Sequence, residues 1–397
     1  MENVKASLVE LLEAHETSAK PLADYDEIWF FGDLSNSFSL RAPTLADKLG
    51  NFAGIVASNL SAEKRLRISG QMRSRGYWAF IDFESIVERA RTRRLLLVDF
   101  NDTLAGRMFG KSLRHKGVEV CDYLRLMNDL RVHHTYLPVN EERDYFVDHL
   151  DDFLGLAGEM QDSLSRDTLI ARVKTFITLD RGWLIEVSQP LGLFTRAPWS
   201  HSALVVSGDE IYVDIGAAHG DTVAEFFNAC GGNYREIHAF EPDSFNFNSL
   251  SRLCKVLPNA HCYQQGLSDE NGELAFHEDP DNRFGSNFTL PNAGRSNTQA
   301  VKISRLDDVV NEATVMKMDV EGFEQRALQG AERIIGEQGP SLHVSGYHYP
   351  NDLLSIFSLV RKIRNYPHVA IRHYGSTLYD TNMLFSTRQT FLGRGEP

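Results

Sequence analysis

The chain has 397 residues, 42% hydrophobic and 24% charged, enough for two globular domains with a core each and unlike a disordered or fibrous chain. Forty-one Lys and Arg stand against 54 Asp and Glu, a net charge of −13, and neither half is basic: 24 basic against 29 acidic side chains up to Thr195, then 17 against 25. That balance argues against gripping nucleic acid by its phosphates or resting on an anionic membrane.

The segment from Met1 to Glu16 is acidic and amphipathic, unlike the basic start and apolar core of a signal peptide. No run approaches the roughly 18 apolar residues of a membrane-spanning helix. Cys121, Cys230, Cys254 and Cys262 form no CxxC pair, which gives no disulfide framework or zinc ribbon and points to a reduced, cytoplasmic protein.

In the first half, Ile28 to Phe31, Tyr77 to Ile81 and Leu95 to Val98 read as buried parallel strands, with helical segments at Leu45 to Leu49 and Met108 to Lys116. Phe31-Gly32-Asp33 follows a strand, but Gly32 to Ser37 lacks the later glycines of a dinucleotide fingerprint. Asp82, Asp99 and Asp102 also stand at or just beyond strand ends, without a phosphate-binding lysine pattern. Residues 1–150 therefore read as a smaller, degenerate Rossmann-like α/β domain, serving acceptor recognition or dimerisation. The run Glu88 to Arg94 reads as a solvated helix end or a hold for an anionic acceptor. His133 and His134 point to opposite faces if extended and make a poor chelate.

Residues 151–195 read as a helical linker, with Ser163 or Ser165 as N-cap. From Glu210 the alternation becomes regular. Strands are expected at Ile211 to Ile215, Glu236 to Phe240, Ala260 to Gln265, Val315 to Met318 and Leu342 to Ser345. Helices are expected at Asp221 to Ala229, Phe245 to Val256, Phe323 to Ile335 and Asp352 to Asn365. Glu278 to Gln299, rich in Asn, Gly and Ser, reads as a surface loop, and Asn282 to Phe288 within it suits a lid. His368 to Tyr374 and Thr377 to Phe385 read as an antiparallel pair.

The first strand of this second domain, 196–397, runs through Asp214-Ile215-Gly216-Ala217 into Gly220-Asp221. Gly216 permits a tight turn, and Gly220 a close approach of the helix start to a ligand; alone, such a turn is as often plain packing. Asp214 can order the loop or meet a charged amino group. Glu241 ends the second strand, 25 positions after Gly216, where an acid accepts the ribose hydroxyls of a nucleoside; it can also be an acid favoured at a helix start. Ser268 and Asp269 close the third strand and can border the base, or form a solvated turn.

These residues carry a family resemblance. Tyr212 to Ala217, Phe240 to Asp243, Ser304 to Asp308, Lys317 to Glu324, Ala327 to Ala331 and Tyr347-His348 resemble, in order and spacing, the FkbM-type methyltransferases, which use S-adenosylmethionine. The resemblance implies a class I methyltransferase fold, a Rossmann-like seven-stranded sheet with a reversed strand near one edge. It implies S-adenosylmethionine as cofactor, held by Asp214, Gly216, Ala217, Gly220, Glu241, Ser268, Asp269 and Asp319.

Methyl transfer from a sulfonium is an in-line displacement that asks mainly for alignment, plus a base when the acceptor is a hydroxyl. His348, Asp319 and Glu321 follow strand ends and can converge on one acceptor, as catalytic residues. Asp319 can instead cap a helix starting near Gly322. Arg372, His373 and Tyr374 read as structural. Asp319, Glu321, His343 and His348 offer metal ligands without a closed spacing, so no metal is expected. The expected activity is O-methylation of a hydroxylated small-molecule or glycan-type acceptor, with no nucleic-acid or membrane partner and homo-oligomerisation open. The alternatives are a non-catalytic nucleotide-binding module and an NAD-linked sugar-nucleotide enzyme.

Overall fold

The computed structural model describes residues 1–32, 36–56, 80–134, 136–197, 200–277, 287–288 and 298–391. The expected strand residues Tyr77 to Ala79, the segment Asp33 to Ser35 and the lid segment Asn282 to Ser286 lie outside the described residues. No helix among the described residues is long and apolar enough to cross a membrane.

The chain divides into two compact units, the first made of Met1–Gly158, Asp167–Ser188 and Gly375–Leu378. Its sheet comprises β1 (Glu27–Phe31), β2 (Phe52–Val56), β3 (Phe80–Ile81), β4 (Leu95–Asp99) and β5 (Glu119–Asp122), in the order β3-β2-β1-β4-β5. All pairs are parallel. Ile28, Phe30, Leu96 and Val98 join one core, while Trp29, Phe31, Leu95 and Leu97 join another. Burial on both faces is why β1 and β4 read as unbroken apolar runs. The strand-end acids are absorbed internally. Asp82 caps the helix Phe83–Ala90, and Asp99 accepts from the amide and side chain of Asn101. Asp102 and Asp122 pair with the fully buried Arg181, and Asp122 also with Arg107. In the arginine run, Arg89 pairs with Glu27 and Arg94 with Asp26.

The stretch read as a linker is shared out: 151–158 and 167–188 belong to the first unit, 159–166 and 189–195 to the second. The cap of the helix Ser163–Thr178 is Asp162, whose carboxylate accepts the Ser165 amide and hydroxyl. The expectation of Ser163 or Ser165 thus falls one to three residues late, because Asp offers the better-placed acceptor.

The second unit opens with the short pair β6 (Phe194–Thr195) and β7 (Leu204–Val205). β8 (Ile211–Ile215), β9 (Glu236–Phe240) and β10 (Ala260–Tyr263) follow. Then come β11 (Gly266–Leu267), β12 (Gly272–His277), β13 (Asn287–Phe288) and β14 (Thr298–Ser304), which form a small separate sheet. β15 (Val315–Met318), β16 (Ser341–Ser345), β17 (His368–His373) and β18 (Thr381–Ser386) complete the main sheet, ordered β10-β9-β8-β15-β16-β18-β17. β18 is antiparallel to both neighbours. This is the class I methyltransferase sheet, seven strands with one reversed beside the edge.

The helix Asp221–Ala229 packs Val223 and Phe226 against Tyr212, Ile237 and Ala239 of the sheet. The helix expected at Phe323 to Ile335 is two helices, Glu324–Gln329 and Glu332–Gln338. Gly330 lies between them, and a Cβ there would stand 2.0 Å from the Ser268 carbonyl oxygen. Backbone contact, which no periodicity reveals, interrupts the helix. Arg372 and Tyr374 are fully buried, bonded to Ser165, His201 and Ser202, in keeping with a structural reading.

Candidate functional site

The carboxyl ends of the parallel strands, where ligands sit in open α/β sheets, open into a cavity of about 350 Å³ in the second unit. Gly216, Ala218, Glu241, Gly266, Asp319 and Asp380 are among its walls.

The loop after β8 is shaped by two glycines of different function. Gly216 has φ of 78°, and a Cβ there would meet the Asp319 carbonyl oxygen at 1.8 Å. Its main chain is pinned on both sides: the amide donates to the Phe240 carbonyl and the carbonyl accepts from Lys317 Nζ at 2.6 Å. Gly220 has φ of 95°, and the space beside it is filled by Leu253 and Leu250. It therefore serves helix packing, and the expected close approach to a ligand is made by Gly216 and Ala218 instead. Ala217 is fully buried, its amide donating to Phe240, and does not face the cavity.

Glu241 lies at the end of β9, 6% exposed and on the cavity wall. Oε2 accepts the Ala218 amide and Oε1 the Asp243 amide, each at 2.8 Å. Each oxygen keeps a further lone pair for a ligand hydroxyl. Burial raises the carboxyl to about 7, against the pull of these two amides. The helix Ser244–Cys254 is capped by Asp243, so Glu241 is not spent on that helix.

Asp214 is fully buried behind the wall, accepting from Thr222 Oγ1 at 2.5 Å and facing Lys317 Nζ at 3.3 Å. Of the two roles open to it, the structure gives it loop ordering. Burial pulls the Lys317 pKa down, but Asp214 and Asp319 outweigh it and hold the ammonium above its ordinary value.

Ser268 and Asp269 are displaced from the cavity. Ser268 donates to Asp269, which is paired with Arg326 at 2.6 Å. Gln265, Gly266 and Leu267 line the wall in their place, because the strand expected to run to Gln265 ends at Tyr263 and the chain steps into β11.

At the other end, Asp319 and Glu321 face the cavity. Asp319 is not a cap: the next helix begins at Glu324, and the Tyr347 hydroxyl lies 3.2 Å from both Asp319 oxygens. Glu321 and Gly322 take left-handed conformations, φ 54° and 92°, turning the chain out of β15. His348 is 2% exposed and stands behind the wall. Its Nδ1 lies 3.1 Å from Glu324, and its Nε2 lies 3.5 Å from Asp319 and 3.6 Å from Glu321. Burial would lower its pKa, but Glu324 and Glu321 outweigh it and hold the imidazole well above its ordinary range. His348, read from the sequence as a catalytic residue, thus stands behind the two carboxylates and not on the wall itself. Glu324, not singled out from sequence, anchors it and also accepts the Val320 amide.

Asp319, Glu324 and His348 are the group among the described residues that could hold a metal, their ligand atoms within 4.8 Å of one another. Sequence reasoning also missed Ser345, Asn382 and Asp380 on the wall. A carboxylate just before a reversed strand is the signal for Asp380: reversal carries the start of β18 to the ends of its parallel neighbours.

Residues 214–368 match the family model described as the methyltransferase FkbM domain. The chain is similar to the crystal structure of methyltransferase FkbM from Methylobacillus flagellatus KT, with a TM-score of 0.72 and 18% identity over 96% of this chain and 99% of that one. Fibrillarin from Aeropyrum pernix, in complex with natively bound S-adenosyl-L-methionine, aligns at TM-score 0.29 and 10% identity, over 46% of this chain and 69% of that one. SMU.1697c from Streptococcus mutans, in complex with SAH, aligns at 0.28 and 10%, over 45% and 89%. No curated protein matches.

Proposed function

Since residues 214–368 form a methyltransferase FkbM domain, of a family that uses S-adenosylmethionine, we propose that the protein methylates a hydroxyl on a small-molecule or glycan-type acceptor. Glu241 carries the donor side of this reading. Its two oxygens, fixed by the Ala218 and Asp243 amides, suit the paired hydroxyls of a ribose. Glu241 and Asp319 both line the cavity, and a Cβ at Gly216 would collide with the Asp319 main chain, so with glycine there a nucleoside with a sulfonium tail fits along the cavity.

Bound there, S-adenosylmethionine supplies an electrophilic methyl group. We assign proton removal from the acceptor hydroxyl to Asp319, which faces the cavity and is oriented by Tyr347; Glu321 flanks it. His348 acts through them as a positioning residue, held by Glu324 and facing both carboxylates. Gly266 and Leu267 border the base. Calorimetry with S-adenosylmethionine and S-adenosylhomocysteine tests the reading. Micromolar binding that Glu241→Ala weakens at least about tenfold supports it. Absence of binding, or indifference to the substitution, defeats it, and binding of NAD instead would restore the sugar-nucleotide alternative.

A further inference from the structure

The acceptor end of the cavity is acidic, with the Ser345 and Tyr347 hydroxyls and the Asn382 amide beside its carboxylates. Asp319, Glu321 and Asp380 place three carboxylates on its wall. Among the described residues lining it, Lys317 is the one Lys or Arg, and its ammonium already serves Asp214 and the Gly216 carbonyl. An anionic acceptor therefore meets three carboxylates, two of them already facing His348, and no available Lys or Arg on the described wall.

An independent observation comes from the cavity floor. His343 on β16 is 2% exposed and lines the cavity. Its Nε2 is buried with no hydrogen-bond partner. Burial, then the neighbouring Lys317, drive its pKa to about 3, so the ring stays neutral. A buried ring nitrogen left without a partner is costly, and a ligand hydroxyl, which can donate or accept, relieves it.

Asp380 shows the same need. It sits at φ 65° in the turn before β18, and burial and then the charge of Asp319 push its carboxyl up to about 6. A cation seated beside that carboxylate would relieve it.

Resting on the methyltransferase reading, we propose that the acceptor is an amine-bearing polyol of the amino-sugar class. Its protonated amine sits beside Asp380, and one of its hydroxyls forms a hydrogen bond with His343 Nε2. Anionic sugars such as phosphates are excluded by the same carboxylates.

The test is titration calorimetry on the whole protein saturated with S-adenosylhomocysteine, with kanamycin, glucosamine, glucose and glucose 6-phosphate as probes. The amines should bind at least about tenfold more tightly than glucose, and the phosphate more weakly still. Asp380→Asn should remove most of the amine preference, and His343→Phe should weaken amine and neutral probes alike, both variants retaining S-adenosylhomocysteine affinity as the check on folding. Equal binding of glucose, stronger binding of the phosphate, no amine binding, or an unaltered preference in Asp380→Asn overturns the proposal. So does 1:1 Mn²⁺ binding that the amines do not displace, since a metal would then fill the acidic end. Failure of S-adenosylhomocysteine itself to bind defeats the methyltransferase reading instead.

Discussion

Acidification from pH 8 to 5.5 should weaken donor binding through one group, Glu241. Its carboxyl is raised to about 7, chiefly by burial, and only the ionised form has lone pairs for two ribose hydroxyls beyond those given to Ala218 and Asp243. Protonation turns one oxygen into a donor. With the free-state value near 7, the fraction competent to bind is about nine-tenths at pH 8 and about one-thirtieth at pH 5.5, so the apparent Kd rises roughly 30-fold, about 2 kcal/mol. For the unliganded fold the sign is opposite. A carboxyl whose folded value is raised contributes stability that is fully present below its ordinary 4.5 and lost as pH rises through about 7. The Tm gain from saturating donor should therefore grow toward alkaline pH. The assay is calorimetry with S-adenosylhomocysteine at half-unit steps, with Glu241→Gln as reference, because that variant retains any titration of the ligand or of other groups. A wild-type Kd that stays within about twofold from pH 8 to 5.5, or a profile shared with Glu241→Gln, refutes the reasoning.

Gly216→Ala should destabilise the second unit by about 3 kcal/mol and abolish donor binding, since its Cβ meets the Asp319 carbonyl at 1.8 Å with φ of 78°; urea titration with calorimetry checks both. Lys317→Met leaves Asp214 buried and facing no cation; a loss of about 3–5 kcal/mol is expected, partly recovered by adding Asp214→Asn. Arg181→Met strips Asp122 and Asp102 of a buried partner and should cost about 3–5 kcal/mol in the first unit. Donor affinity should then stay within about twofold, and a tenfold fall would contradict placing donor binding wholly in the second unit.

The strands flanking the site were legible where burial on both faces gives unbroken apolar runs, as in Ile211–Ile215 and Val315–Met318. Helix starts were legible where a glycine or an acid marks them, as at Asp221. The small sheet of β11 to β14 was not foreseen: β12 reads Gly-Glu-Leu-Ala-Phe-His, has one buried residue in six, and pairs with β14, which starts 21 residues beyond its end. The same limit governs the site. Glu241 is positioned by its own strand, so its place followed from spacing. Asp269 is claimed by Arg326, 57 residues on, and Asp380 reaches the cavity only because β18 runs backwards. Both facts belong to pairing between distant segments, on which local pattern is silent.

Asp214 shows how register decides a role that residue type leaves open. Asp214, Lys317 and His343 stand opposite one another on the adjacent strands β8, β15 and β16, a single row of acid, base and neutral ring beneath the cavity. The acid holds the ammonium, and the ammonium holds the Gly216 carbonyl, while the Gly216 amide is held by β9. The loop that meets the donor is thus set before any ligand arrives, and binding need not spend free energy ordering it. The acid at the end of β8 thus shapes the main chain around the cavity and is not itself on the wall. The overall negative charge fits a cationic donor, and the cavity wall carries carboxylates at the ends of β9 and β15 and before β18, among others, while Asp214 lies beneath.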